Sequence, residues 1–140
     1  MTDASFLIDS NLLVYAYEDD VVRSEPARQL IASLSRKNQA SVSVQNLAEF
    51  SNVAAGKKKN VIPLAEAQTA LAFFSENLNV LPYGLKTVSS ALALVQSHGT
   101  PFYDALLAAT MIENGIATIY TENVKDFERI PGIKAVNPFE

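Results

Sequence analysis

The chain alternates short apolar runs with longer segments in which apolar residues recur at helical spacing. Residues 5–8, SFLI, predict a short buried strand. Ser10 and Asn11 come next, and both are residue types that begin helices. Other short apolar or alternating runs predict strands in the same way. The further predicted strands cover residues 40–44, 78–82, 116–121 and 133–136.

Capping residues, proline and glycine indicate where the helices begin and end. Ser24 with Pro26 predicts the start of a second helix that runs to about residue 35. Thr100 as a cap, Pro101 in the first turn and Gly115 at the end delimit the best-marked helix of the chain. The other predicted helices cover residues 10–18, 45–56, 63–77 and 86–99, and a helical turn lies within residues 122–132.

Strands that alternate with helices predict a parallel sheet covered on both faces. No repeat or linker divides the 140 residues, so we expect a single α/β domain over residues 1–140. Polar side chains in an open parallel sheet meet where the carboxyl ends of the strands lie. Asp9 ends the first predicted strand and Thr121 ends a late one. Both are therefore expected at the same edge of the sheet.

The amino-acid composition limits the kinds of functional site that this edge of the sheet could form. Hydrophobic residues make up 49% of the chain and charged residues 19%, as in a globular protein. There is no Cys and only one His, which excludes disulfides, iron–sulfur clusters and cysteine-ligated zinc. The net charge of −4 argues against nucleic-acid binding through a broad basic surface, but allows a site that reaches phosphates through metal ions.

The chain gives no indication of export or of a membrane. Its first ten residues, MTDASFLIDS, lack the basic region that precedes the apolar part of a signal peptide. No segment approaches the roughly 18 uninterrupted apolar residues of a membrane span. We therefore expect a cytoplasmic protein without a membrane partner.

Three acidic residues stand out by their position. Asp9 lies in an apolar run, where a carboxylate is costly unless it is paired, hydrogen-bonded or bound to a cation. Asp104 begins the apolar face of a helix, and Glu49 flanks an apolar stripe in another. Taken singly, Asp104 would favour the positive helix end and Glu49 would be an ordinary surface glutamate.

Taken together, these acids predict a metal site. All three follow a strand or begin a helix, so one sheet edge can gather them. Carboxylates held close together repel one another, and divalent cations relieve the repulsion. A set of oxygen ligands without Cys or His suits Mg²⁺, with Mn²⁺ as the second possibility.

Four segments of the chain together form a recognisable set of motifs: FLIDSNLLVY (6–15), SVQNLAEF (43–50), TPFYDALLAATMIENG (100–115) and IYTENVKDFERIPGIKAVNP (119–138). In sequence and order they resemble the PIN-domain ribonucleases, and within them the VapC-type toxins of bacterial toxin–antitoxin pairs. The resemblance implies a PIN-like three-layer α/β/α sandwich with a mainly parallel twisted sheet. It also implies metal-dependent endonucleolytic cleavage of RNA phosphodiester bonds.

The resemblance also assigns roles to individual residues. Asp9, Glu49 and Asp104 match the three core acids, which act in catalysis and metal binding. Asn11 and Thr121 match polar positions beside them, expected to hold carboxylates, waters or substrate.

The fourth acid of the site stays open between two residues. Where many members of the family carry Asp, this chain has Asn123, which can ligate a metal only through a neutral oxygen. Asp126 is the nearest acid and is the alternative catalytic group. If the fourth acid is lost, the chain could be a weak or inactive PIN-like protein that binds RNA or a partner.

Other features have simpler interpretations. Lys57, Lys58 and Lys59 form the one basic cluster, interpreted first as a solvated helix end and second as an RNA contact. Glu122 is expected to be a solvated surface residue. A haloacid-dehalogenase phosphatase would need a second Asp where Asn11 stands, and the turn after the first strand lacks the glycines of a dinucleotide-binding module.

The resemblance implies two protein partners as well. One is a small antitoxin that places a basic side chain against the carboxylates, and the other is a second copy of the chain in a homodimer. The residues themselves show neither partner.

Overall fold

A computed structural model describes residues 5–56 and 62–140 of the chain. Within these residues, five strands alternate with seven helices in chain order. The strands are β1 (Phe6–Ile8), β2 (Ala40–Ser43), β3 (Asn79–Leu81), β4 (Thr118–Tyr120) and β5 (Lys134–Val136). The helices are α1 (Ser10–Tyr15), α2 (Val21–Arg36), α3 (Val44–Ala55), α4 (Leu64–Asn77), α5 (Leu85–His98), α6 (Phe102–Glu113) and α7 (Val124–Glu128).

The five strands form one sheet in the order β3-β2-β1-β4-β5, and every neighbouring pair is parallel. Strand β1 is central: Phe6 lies beside Ala40 of β2 and Thr118 of β4. The carboxyl ends of β1, β2 and β4 therefore lie side by side. This confirms the predicted parallel α/β sheet and brings the residues that follow these strands to one edge.

Helices cover both faces of the sheet because successive side chains of β1 point to opposite sides. Ile8 packs in a core with side chains of α1 to α4, including the fully buried Leu12 and Phe74. Leu7 points the other way and packs with Leu107 of α6 and Phe127 of α7. Helix α5 packs outside α6. The result is the expected three-layer α/β/α sandwich.

Two predicted helix starts are wrong. Helix α2 begins at Val21, because the Asp20 carboxylate accepts a hydrogen bond from the backbone N–H of Val22 (3.0 Å). Ser24, the predicted cap, is instead buried inside the helix. Helix α6 begins at Phe102 with Pro101 as its cap, and the buried Thr100 side chain makes no capping hydrogen bond.

Glycine ends helix α5 as predicted. Gly99 adopts φ 68°, a left-handed conformation that costs other residues energy, and its N–H donates to the Val95 carbonyl (2.9 Å). This turn leads the chain directly to the start of α6, where Asp104 lies. Across the two described ranges, no helix is long and apolar enough to span a membrane.

Candidate functional site

The site begins with Asp9, the residue that follows the central strand. Its backbone N–H extends the sheet by donating to the Tyr120 carbonyl of β4 (3.0 Å). Its side chain caps helix α1 by accepting from the Ser10 N–H (2.7 Å). Only 6% of Asp9 is exposed to solvent. The end of β1 and the start of α1 thus fix this carboxylate at the middle of the sheet edge.

Side chains from two further segments also hold Asp9. Thr121, just after β4, donates its hydroxyl to Asp9 Oδ2 (2.7 Å). Asn46 of α3 donates its amide to Oδ1 (3.4 Å), and the Ser10 hydroxyl approaches the same oxygen at 3.4 Å. Thr121 and Asn46 are themselves fully buried. Both oxygens of Asp9 are therefore oriented by donors from segments that are distant in sequence.

Burial and hydrogen bonding act on Asp9 in opposite directions. Burial raises the pKa of its carboxyl group, whereas the hydrogen bonds from Thr121 and Ser10 lower it. Desolvation is the larger of the two effects. The ionised form of Asp9 is thus oriented but incompletely compensated, which is a suitable state for a cation ligand.

Glu49 lies near Asp9 on helix α3. It accepts a hydrogen bond from the Ser10 hydroxyl at Oε1 (3.4 Å), so one serine lies between the two acids. Burial raises the pKa of the half-buried Glu49, and the negative charge of Asp9 raises it further. Hydrogen bonds from Ser10 and Gln45 offset this in part. The predicted proximity of Glu49 to Asp9 is present in the structure.

Asp104 lies in the first turn of α6, and its pKa is strongly raised. Burial together with the charges of Asp9, Asp126 and Glu49 raises its pKa to about 7. A hydrogen bond to Asp126 favours the protonated form of Asp104 in addition. Asp104 on α6 therefore interacts with three other acids, and together the four are called the acidic cluster. They are Asp9 after β1, Glu49 on α3, Asp104 and Asp126 on α7.

The two candidates for the fourth acid differ in their surroundings. Asp126 on α7 interacts with Asp104 and lies 4.0 Å from the Arg129 guanidinium. Asn123 is exposed and begins α7, and its backbone N–H donates to the Thr121 hydroxyl (3.0 Å). The backbone of Asn123 thus supports the hydroxyl that holds Asp9. The side chain of Asp126 is the one that contributes charge to the cluster.

Two cavities open beside the acids. One, of about 400 Å³, is lined by Glu49, Ser10 and Asn11 among others. The other, of about 800 Å³, is lined by Asn123, Asp126 and neighbouring residues of the C-terminal segment. Each cavity thus has residues of the predicted site in its wall.

Sequence reasoning missed several residues that support the acids. Ser43 and Asn46 form a reciprocal capping box at the start of α3, with side chain to N–H distances of 3.2 and 2.9 Å. The spacing of Ser43 and Asn46 is the signal that could have been recognised. Gln45 ties α3 to α6 by donating to the Tyr103 carbonyl (2.9 Å), a contact that no local pattern indicates.

The structure bears on two of three further predictions, those for Glu122 and Asn11. Lys57, Lys58 and Lys59 lie outside the described residues. Glu122 is not a free surface residue, because it accepts a hydrogen bond from the Tyr15 hydroxyl. Asn11 lines the smaller cavity, and its side-chain oxygen is buried without a hydrogen-bond donor in the described part of the chain.

The donor set fits a hard divalent cation in its chemistry. The acids supply oxygen ligands, their mutual repulsion favours a bound positive charge, and the Asn11 oxygen has no donor within residues 5–56 and 62–140. In the side-chain positions of residues 5–56 and 62–140, however, no three acidic or histidine side chains form a group that could hold an ion.

The chain resembles a known protein family and several solved structures. The family model described as PIN domain matches residues 6–133. The chain therefore belongs to the PIN domain family, as the motifs in its sequence indicated. Among curated protein sequences, none matches the chain significantly.

Solved structures resemble the chain over nearly its whole length. A toxin–antitoxin complex from Klebsiella pneumoniae has 25% identity and a TM-score of 0.72, covering 97% of this chain and 99% of the other. VapBC2 from Rickettsia felis, bound to a promoter DNA fragment, has 24% identity, a TM-score of 0.70 and coverage of 94% and 97%. A sarcin–ricin loop cleaving VapC toxin from Mycobacterium tuberculosis has 19% identity, a TM-score of 0.67 and coverage of 82% and 87%.

Proposed function

We propose that this protein is a Mg²⁺- or Mn²⁺-dependent endoribonuclease and the toxin of a toxin–antitoxin pair. The observation that carries the proposal is the acidic cluster at the carboxyl edge of the sheet. Its central member, Asp9, is buried and held by donors from three segments. Capping a helix would not require Glu49 and Asp104 to lie where the charge of Asp9 acts on them, so their proximity favours a functional site.

Asp9 and Asp104 are the residues that would anchor the metal ion. Asp9 offers oriented oxygens, and Asp104 carries a charge that burial and three neighbouring acids make unfavourable without a cation. When bound, Mg²⁺ would lower the pKa of a coordinated water and neutralise charge on the phosphate. Binding would also displace the proton that the neighbouring charges hold on Asp104.

The remaining residues of the cluster act on the water and on the substrate. Glu49 ligates the metal or accepts a proton from the attacking water, because its raised pKa and its place in a cavity wall suit a general base. Asp126, or Asn123 through its neutral oxygen, assists a second ion or the scissile phosphate. Thr121 holds Asp9, and the Asn11 oxygen, which has no donor among the residues that the structure describes, would accept a hydrogen bond from water or a substrate hydroxyl.

RNA is the proposed substrate. The likeness of the fold to a VapC toxin described as cleaving the sarcin–ricin loop supports this choice. The net charge of −4 means that binding cannot depend on a broad basic surface. The metal ion would then provide much of the attraction for the phosphates, with Lys57, Lys58 and Lys59 as candidate RNA contacts.

The test is an RNA cleavage assay with purified wild type, Asp104→Asn and the matched control Glu76→Gln. Glu76 is exposed on α4, so its substitution removes one charge outside the cluster. We expect Mg²⁺- or Mn²⁺-dependent cleavage by wild type and Glu76→Gln, and loss of activity in Asp104→Asn. Unchanged activity in Asp104→Asn would overturn the assignment. Metal-independent RNA binding without turnover by wild type would instead identify a binding protein.

We further propose a small antitoxin partner, a homodimer and a cytoplasmic location. The likeness to a toxin–antitoxin complex and to VapBC2 supports the antitoxin, and the acidic cluster suits a basic side chain of such a partner. The chain expressed alone should arrest bacterial growth, and a small protein encoded beside it should restore growth and block cleavage. Sedimentation of the purified chain tests the dimer.

A further inference from the structure

A tyrosine next to the acidic cluster joins several segments of the molecule. The hydroxyl of Tyr15, the last residue of α1, donates a hydrogen bond to Glu122 in the segment after β4. The Arg23 guanidinium of α2 lies 4.7 Å above the centre of the Tyr15 ring. The Phe139 ring near the C-terminus packs edge-on against the same ring, with 5.6 Å between the ring centres.

The hydrogen bond between Tyr15 and Glu122 connects the two segments that hold Asp9. Tyr15 belongs to the helix that Asp9 caps, and Glu122 immediately follows Thr121, which donates to Asp9 Oδ2. Asn123 then donates its backbone N–H to the Thr121 hydroxyl. In the sequence, Glu122 therefore lies between Thr121, whose hydroxyl orients Asp9, and Asn123, whose backbone N–H orients the Thr121 hydroxyl.

We propose that Tyr15 and Glu122 form a clamp that fixes the segment Thr121–Asn123 against helix α1, and so positions the Thr121 hydroxyl on Asp9. Tyr15 and Glu122 are positioning residues in this assignment. The expected effect of the clamp on metal binding rests on the proposed function. Its expected effect on the Thr121 hydrogen bonds does not require a metal ion.

The clamp also accounts for a fifth acid so near the cluster. Tyr15 lines the smaller cavity beside the acids and Glu122 lines the larger one, so their hydrogen bond lies between the two. Burial and the Glu122 carboxylate raise the pKa of Tyr15 to about 12, which keeps the phenol protonated as a donor. The Glu122 carboxylate thus has a hydrogen-bond donor in Tyr15.

The first experiment measures hydrogen exchange of the Asn123 backbone amide in metal-free protein. Tyr15→Phe removes the hydroxyl and keeps the ring, and we expect exchange about 2–10-fold faster than in wild type. Tyr17→Phe is the control, because Tyr17 packs on Phe50 and Phe74 in the core. Equal exchange in Tyr15→Phe and wild type would overturn the clamp, whether or not the protein cleaves RNA.

The second experiment compares Glu122→Gln with Glu122→Leu. Gln keeps an acceptor oxygen, so it should retain most of the protection of the Asn123 amide, whereas Leu should behave like Tyr15→Phe. This pair also tests the clamp if Tyr15→Phe fails to fold. Identical exchange in the Gln and Leu variants would contradict a hydrogen-bonded clamp.

The third experiment links the clamp to the site through Mn²⁺ affinity measured by calorimetry. Tyr15→Phe should weaken Mn²⁺ binding in the wild-type background and have no further effect in Thr121→Val, because both changes act through one contact. Additive losses would contradict positioning through Thr121. If wild type binds no Mn²⁺, the proposed function fails, and the exchange measurements alone decide on the clamp.

Discussion

Asp9 and Asp104 belong to one cluster, but the protein surrounds them in opposite ways. Asp9 is deeply buried and has hydrogen-bond donors on both oxygens. Asp104 is half-buried, and its strongest charged neighbours are three other acids. The fold thus offsets part of the burial cost of Asp9 with hydrogen bonds, whereas the groups around Asp104 raise its pKa further. Under the proposed function, Asp9 would be a ligand already oriented by hydrogen bonds, and a bound cation at Asp104 would offset the charges of its acidic neighbours.

The difference follows from where the two residues lie in the sandwich. Asp9 follows the central strand, so β4 and α3 surround it and can each provide a donor. Asp104 lies in the first turn of a helix, next to Asp126 of α7. A residue in the middle of the sheet edge can accept hydrogen bonds from several segments. A residue at a helix start outside the sheet has fewer segments around it.

The largest effect should come from Asp9→Asn. An Asn side chain can accept from the Ser10 N–H and donate to the Thr121 hydroxyl, so the fold should survive while the anionic ligand is lost. We expect cleavage rates to fall more than about 100-fold, beyond the range typical of a supporting residue. Initial rates at saturating Mn²⁺ measure the effect, with circular dichroism as the check on folding. A rate within tenfold of wild type would contradict the role of Asp9.

Thr121→Val should have the next largest effect. The change leaves Asp9 Oδ2 and the Asn123 N–H without their partner, and we expect Mn²⁺ affinity to fall about 10–100-fold. Thr110→Val is the matched control, because this fully buried threonine bonds a carbonyl inside α6 (3.0 Å). Equal losses of Mn²⁺ affinity in the two variants would indicate a general packing effect and not loss of support for Asp9.

Asp104 should make the metal-free protein less stable as the pH rises. Its pKa is about 7 in the folded protein against an ordinary value of 3.8, so the folded state binds more protons between these values. The free energy of unfolding should therefore fall from about pH 4 to pH 7, with the full loss above pH 7. Asp104→Asn should recover roughly 1–2 kcal/mol at pH 8, a figure reduced for the partial exposure of the group.

Urea unfolding between pH 4.5 and pH 8 measures this effect, with Glu76→Gln as a charge-matched control. Mg²⁺ should stabilise the wild type at pH 8 and have less effect on Asp104→Asn, because binding to the folded state adds stability. A pH profile that is the same in wild type and Asp104→Asn would show that Asp104 is not the group responsible for the loss of stability.

Asn123→Asp should have the smallest effect, and it tests whether position 123 can serve as the fourth acid of the site. A carboxylate here would add charge beside Asp126, and we expect Mn²⁺ affinity to rise less than about tenfold, within the range of a partly exposed charge pair. Asn137→Asp is the control, because it lines the same cavity and keeps its acceptor oxygen for the Phe139 N–H. The same gain in both variants would assign the effect to general charge.

Local patterns in the sequence were sufficient for most of the secondary structure. The alternation of strands and helices, the glycine that ends α5, and the acids placed after strands or at helix starts all depend on neighbours within a few residues. Where several residues that can cap a helix lie close together, local preference does not show which of them is the cap. Asp20 caps α2, although Ser24 was predicted to do so.

The sequence by itself thus determined the α/β class, the PIN-like motifs and the three acids that needed an explanation. Tertiary structure alone decided what surrounds them: Thr121 on Asp9 across 112 residues, and Tyr15 on Glu122 across 107. The physical reason is that strand order brings these groups together. Burial among other acids, and not the local sequence, then raises the pKa of Asp104 to about 7.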